Sequence, residues 1–216
     1  YRTAILTILP IAAVFYFTLV EQRLKPSQKA PVLTVVTMLF IIIFSALSLS
    51  MQERFADVGV MISNLDLILK APIYFSEAEQ DIMSARVYIW SQYINAFANA
   101  DAVQQVFGFG PDSWKQRFEL YAHNTFVSYL YEYGILGLVS FLLVCILMTL
   151  QPLGLKDKKL SKILVLSFLG FLTMNLATMP LWNIEGLIFF SIFCSLVFGS
   201  QSAELKNNGV RYRVSV

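Results

Sequence analysis

One histidine occurs in the 216-residue chain, and its setting could support proton transfer. His123 stands beside Asn124 in the stretch YAHNTFVSYLYEYGILGL, Tyr121 to Leu138, where polar sequence gives way to apolar. Histidine is the side chain whose ordinary pKa lets it exchange protons near neutral pH, so His123 is the first candidate acid or base. Asn124 is a favoured N-cap residue, and a helix beginning at Thr125 would aim the positive end of its dipole back at His123. That dipole disfavours the imidazolium, which keeps the ring able to accept a proton, and the same helix end favours an anion such as phosphate. A histidine hydrogen-bonded within an interfacial layer is the alternative use of the residue.

Asn124, Ser128 and Glu132 recur every four residues and so share one face of the predicted helix. At about 1.5 Å of rise per residue, Glu132 lies roughly 12 Å along it, where a carboxylate needs a partner or a wet cavity. A direct role and a structural pairing both fit it. Arginines are the next candidates, because a guanidinium can grip a phosphate through two parallel hydrogen bonds and keeps its charge. Arg86 interrupts the apolar row Ile82, Ile89, Tyr93, one turn from Trp90, and faces either lipid headgroups or a ligand. Arg54, Lys115 and Arg117 read more simply as solvated loop charges, and Glu185 as a turn carboxylate or a site lining. Tyr121, Tyr129, Tyr131 and Tyr133 are most simply an interfacial aromatic belt.

The elements that must position these residues follow from composition. At 57% hydrophobic residues the chain exceeds the roughly 45–50% of soluble domains, which makes it an integral membrane protein. A net charge of +2, with the basic residues clustered beside apolar runs, argues against nucleic acid as a partner. Cys145 and Cys194 both lie inside apolar runs, where cysteine behaves as a small hydrophobe, so neither a disulfide nor a metal site is expected. The chain opens at Tyr1 without a Met or a charged leader, so it is expected to be the C-terminal part of a longer protein.

Runs close to the ~20 residues that cross a bilayer occur at Thr3–Val20, Pro31–Ser50, Thr125–Leu150, Ile163–Met179 and Leu181–Gly199. The predicted fold is therefore all-α, a polytopic transmembrane helical bundle: two helices in 1–50, a large loop at 51–124, three helices in 125–200 and a tail at 201–216. Lys and Arg place the connectors. Arg23, Lys25 and Lys29 follow the first run, Lys156, Lys158, Lys159 and Lys162 follow the third, and Lys206, Arg211 and Arg213 sit in the tail, so all three belong in the cytoplasm. Between Met51 and Asn124 stand five basic and nine acidic residues, a net charge of −4, which puts that loop and His123 at the extracytoplasmic face.

The loop is too long for a simple connector and should be folded. Between Glu77 and Ala100, Met83, Val87, Trp90, Ile94 and Phe97 recur at steps of four and three, as on one helix face. FGFGPDSW, Phe107 to Trp114, then breaks regular structure at Gly108, Gly110 and Pro111; it reads as a turn and lacks the spacing of a phosphate-cradling loop.

This ordered set, SARVYIW, then FGFGPDSW, then HNTFVSYLYEYGILGLVSF leading into a membrane helix, resembles the O-antigen ligase and Wzy-type polysaccharide polymerase superfamily over about Ser84 to Leu150. The resemblance implies a multi-pass glycosyltransferase of the bacterial inner membrane. Such an enzyme moves a glycan from an undecaprenyl-diphosphate carrier, the donor, to a glycan or lipid acceptor hydroxyl, without a cofactor. It also implies His123 as base or acceptor-positioning group and Arg86 as diphosphate binder. Arg86, Arg117, Asn124, Glu132 and Trp90 are the candidate substrate contacts, and no metal ligand is expected. The spacing of an Arg followed eleven positions later by Gly, found in polymerases of the superfamily, is not matched, since Arg54, Arg86 and Arg117 lead to Leu65, Phe97 and Ser128. A transporter or flippase would carry ionisable residues inside its spans, which here are almost free of charge; a non-catalytic membrane scaffold would leave the His123 face dispensable.

Overall fold

The computed structural model describes residues 24–50, 59, 63, 65–176 and 178–207, and among these it is helical with no strand. The expected span Thr3–Val20 and Arg54 lie outside the described residues. The chain divides into two compact units, one within Leu19–Val139 and the other within Ser140–Val216.

The first unit opens with α1, Pro26–Ser50, which contains the expected span Pro31–Ser50. Pro31 falls near its start, where the missing N–H removes only one early hydrogen bond. Side chains such as Leu33, Val35, Met38 and Ile42 are apolar and exposed, a surface that suits lipid.

Two 3-10 turns, Leu65–Leu69 and Pro72–Tyr74, lead to the single-turn α2, Glu77–Gln80. Ser76 and Glu79 form a capping box there, the Glu79 carboxylate accepting from the Ser76 N–H at 2.8 Å and the Ser76 hydroxyl accepting from the Glu79 N–H. The Lys70 ammonium at 2.7 Å, helped by the Ser76 N–H, holds the Glu79 carboxyl down at about 2.

The sequence pattern predicts one helix between Glu77 and Ala100, and the structure divides it. Met83, Ser84 and Ala85 take left-handed φ values of 54°, 58° and 64°, and only then does α3, Arg86–Ala98, begin. A right-handed helix cannot pass through three such residues, so Met83 leaves the face that Val87, Trp90, Ile94 and Phe97 still share. The new start lets Val87 pack, fully buried, against Leu67 and Phe75 with Ile82 and Met83 folded over them. Further along, α3 contributes Ile89, Tyr93 and Ala96 to a second core with Ala122 and Tyr131.

Then come α4, Ala102–Phe107, capped by the Asp101 side chain on the Gln104 N–H, a turn through Gly108–Asp112, a 3-10 segment at Ser113–Gln116 and α5, Thr125–Leu150. The start of α5 agrees with the predicted N-cap, because Asn124 Oδ1 accepts from the Phe126 and Val127 N–H groups at 2.9 and 3.2 Å.

In the second unit a 3-10 turn, Gln151–Gly154, joins the end of α5 to α6, Lys158–Asn175, and Pro180–Trp182 leads to α7, Ile184–Asn207. Asp157 caps α6 by accepting from Lys159 and Leu160, which starts it ahead of the expected Ile163. The 3-10 turn at Pro180 delays α7 to Ile184, past the expected Leu181. Stacked Phe168 and Phe193, ring centroids 4.8 Å apart, pin the two helices together. The Glu204 carboxylate accepts from the Lys156 N–H at 2.8 Å, so the last turns of α7 are tied to the 151–157 connector. Two of the described helical segments, Thr125–Gly154 and Ile184–Leu205, are long and apolar enough to cross a membrane.

Candidate active site

The turn at Gly108–Asp112 is docked on a break in α5. Gly134 has φ 68° and ψ −167°, which interrupts the helix and opens the carbonyls of the preceding turn. Those carbonyls are taken by the loop: the Phe109 N–H donates to the Tyr131 carbonyl at 3.0 Å and the Gly110 N–H to that of Glu132 at 2.9 Å. The two backbones come so close that a Cβ on Gly108 would lie 2.2 Å from the Glu132 carbonyl oxygen, and one on Gly134 2.4 Å from that of Val106. FGFG is thus a turn, as its composition predicts, with two of its N–H groups engaged by α5.

Glu132 fastens the same loop through its side chain. Its carboxylate accepts from the Asp112 N–H at 3.1 Å and from the Ser128 hydroxyl at 3.3 Å, and the residue is 0% exposed. Asn124, Ser128 and Glu132, aligned by their four-residue spacing, are all buried on one face of α5. Around that face lies a cluster of rings. Tyr131 stacks on Phe109 at 4.5 Å and meets Tyr93 and Phe118 edge-on, while the Arg117 guanidinium, on an otherwise exposed side chain, covers the outer face of Phe109 at 5.6 Å.

His123 is held from three sides. Its backbone is left-handed at φ 51°, its ring lies on Tyr121 with centroids 3.9 Å apart, and the buried Trp90 indole donates to the carbonyl of the preceding residue, Ala122, at 2.8 Å. Tyr93 adds a bond from its hydroxyl to the Leu120 carbonyl at 2.9 Å. Two turns of α3 thereby fix the backbone that carries the imidazole, and Arg86, one turn before Trp90, comes close enough for its charge to act on the ring. Burial first, and the Arg86 charge second, hold His123 below the ordinary histidine value of 6.5. The ring is therefore neutral at pH 7, with burial and the Arg86 charge acting in the same direction as the helix dipole that the sequence suggests.

The predicted residues thus divide by position. His123 and Arg86 are half-buried neighbours and Arg117 is exposed, whereas Trp90, Asn124 and Glu132 are buried and engaged in bonds that shape the loop. Among the described residues no group of three or more His, Cys, Asp and Glu side chains gathers as metal ligands. Sequence reading missed the Gly134 break and the loop it receives; the visible signal was a glycine inside an apolar helix pattern.

A protein-family model described as O-antigen ligase matches residues 1–142, about two thirds of the chain. No curated protein and no solved structure matches it.

Proposed function

The chain belongs to the O-antigen ligase family, a family of membrane proteins, and on that premise we propose that it transfers or polymerises a glycan from an undecaprenyl-diphosphate carrier onto an acceptor hydroxyl. What supports this reading is a half-buried His123 at the head of an apolar helix, its ring against Tyr121, its backbone held through the Trp90 indole, and the permanent charge of Arg86 acting on it. An imidazole nitrogen takes the proton of the acceptor hydroxyl as its oxygen attacks the anomeric carbon. The bond from that carbon to the carrier phosphate breaks, and the diphosphate leaves with its electrons, stabilised by the Arg86 guanidinium. Every proton and charge in this scheme is handled by protein side chains, so no cofactor is invoked. Trp90, Asn124 and Glu132 act through position: the indole and the cap hold His123 at the helix start, and the carboxylate holds the loop.

The same proposal takes the chain as a multi-pass protein of the bacterial inner membrane. It has the expected two helices in 1–50 and an extracytoplasmic 51–124 that presents the site, followed by α5, α6 and α7, the last of which runs to Asn207 rather than 200, with the C-terminal end in the cytoplasm. The test is to supply membranes containing the full-length protein with a lipid-linked repeat unit. A longer lipid-linked chain identifies a polymerase, and glycan on a different acceptor identifies a ligase. Glycan moved across the bilayer with no new bond would replace the proposal with transport.

A further inference from the structure

Beside the His123 and Arg86 pair, α3 presents a second stripe. Arg86, Trp90 and Tyr93 share one face, and Ile89, Gln92 and Ala96 share another about a quarter turn away. This second face lines, together with the 117–120 segment and Pro72, Gln80 and Asp81, an open cleft of about 620 Å³. That volume lies within the roughly 300–1,000 Å³ of clefts that take small ligands. The 117–120 part of the lining is held before any ligand arrives, because Phe118 stacks on Tyr93 at 4.1 Å and Leu120 accepts the Tyr93 hydroxyl.

The lining selects the ligand. Gln80, Gln92 and Asn95 bring carboxamides, each both donor and acceptor, Asp81 and Glu119 bring carboxylates, and Arg117 brings a guanidinium. Tyr88 and Phe118 add ring surface between these polar groups. A diphosphate requires an excess of cations, and here two carboxylates face one guanidinium; a lipid chain requires an apolar lining. Vicinal hydroxyls, which donate and accept at once, match carboxamides and carboxylates, and the apolar face of a sugar ring matches an aromatic ring.

We propose that this cleft is a glycan-binding subsite, which holds sugar residues of the donor or acceptor chain while the neighbouring His123 and Arg86 act on the reacting hydroxyl and the diphosphate. The inference rests on the transferase reading for its purpose, while its chemistry can be tested apart from catalysis.

The experiment uses the full-length protein in nanodiscs and, as probe, the oligosaccharide repeat unit released by mild acid from the host bacterium's polysaccharide, free of lipid and diphosphate. Saturation-transfer NMR should show contact with sugar-ring protons in the wild type. Affinity should fall roughly tenfold in the double variant Gln92→Ala, Asn95→Ala, which suits a helix interior and so preserves α3, and by a smaller factor in Glu119→Gln. Excess inorganic pyrophosphate should leave binding in place. In transfer assays the same variants should raise KM with little change in kcat, for the lipid-linked donor if the cleft holds the donor glycan and for the acceptor if it holds that chain. Equal oligosaccharide binding by wild type and both variants, or displacement by pyrophosphate, overturns the cleft while leaving the transferase reading untouched. Oligosaccharide binding lost in the variants, combined with no transfer by the wild type, sustains the cleft and overturns the transferase.

Discussion

His123 is half-buried with a depressed pKa, and neighbouring residues stand behind both properties. If the neutral ring is the base, transfer should fall as the medium is acidified, with a midpoint below the ordinary 6.5, because burial and the Arg86 charge both favour the neutral form. Arg86→Gln removes the second of these causes and leaves the first. Its residual activity should therefore show a midpoint moved upward towards 6.5, whereas Arg86→Lys, which keeps the charge, should retain the wild-type midpoint while losing the bidentate grip on phosphate. Unchanged midpoints in both would detach Arg86 from the histidine. His123→Gln keeps a hydrogen-bonding side chain but takes no proton, and should lower kcat by about 10²–10⁴-fold with the pH dependence abolished. Near-normal transfer by that variant at equal protein level would reduce the histidine to a positioning residue. Trp90→Phe keeps one buried ring but removes the N–H that holds Ala122 together with part of the indole's volume, so kcat should drop while KM stays near the wild-type value, at a stability cost of about 1–3 kcal/mol.

Between elements, the decisive contact is backbone on backbone, where the 108–112 turn meets the broken α5. Gly108→Ala would place a Cβ 2.2 Å from the Glu132 carbonyl oxygen at φ 83°, so steric overlap adds to conformational strain and the loss should exceed about 3 kcal/mol. Gly110→Ala also sits at positive φ, 96°, but meets nothing within 4 Å, and should cost only about 1–2 kcal/mol. Thermal unfolding and limited proteolysis of the two variants separate the terms; equal losses would show that the close approach contributes nothing. The body of α3 was legible in the spacing of Val87, Trp90, Ile94 and Phe97, and the start of α5 in Asn124, because periodicity and capping are local properties of sequence. The left-handed residues Met83, Ser84 and Ala85 gave no warning, since none is a Gly, Asn or Asp that prefers this conformation; they are set by the burial of Val87 against Leu67 and Phe75. Nor could the sequence supply Glu132 with its partner, a backbone N–H twenty residues earlier at Asp112, although it showed that a carboxylate there needs one.

At the scale of the whole molecule the membrane is the organising solvent, and orientation follows from where the charges gather. Exposed apolar side chains run along α5 from Ile135 to Leu150 and along α7 from Leu187 to Phe198, which water would penalise and lipid accepts. Between these helices, Lys156, Lys158, Lys159 and Lys162 cluster at the start of α6, whereas the segment before α5 carries a net charge of −4. The positive-inside rule then predicts that α5 crosses with its His123 end outward and its Gln151 end in the cytoplasm. The test needs reporters that disturb no packing. Ser161 is buried at 4% exposure, but Lys159 is exposed on the same turn of α6, and Ala102 is exposed in the first turn of α4. In a background where Cys145 and Cys194 are replaced by alanine, Ala102→Cys should react with an impermeant maleimide on intact spheroplasts, and Lys159→Cys only after permeabilisation. The opposite pattern inverts the orientation and puts His123 in the cytoplasm, away from a carrier-linked glycan presented outside. Labelling of both on intact cells removes α5 as a complete crossing, and with it the placement of the site at the head of a membrane helix.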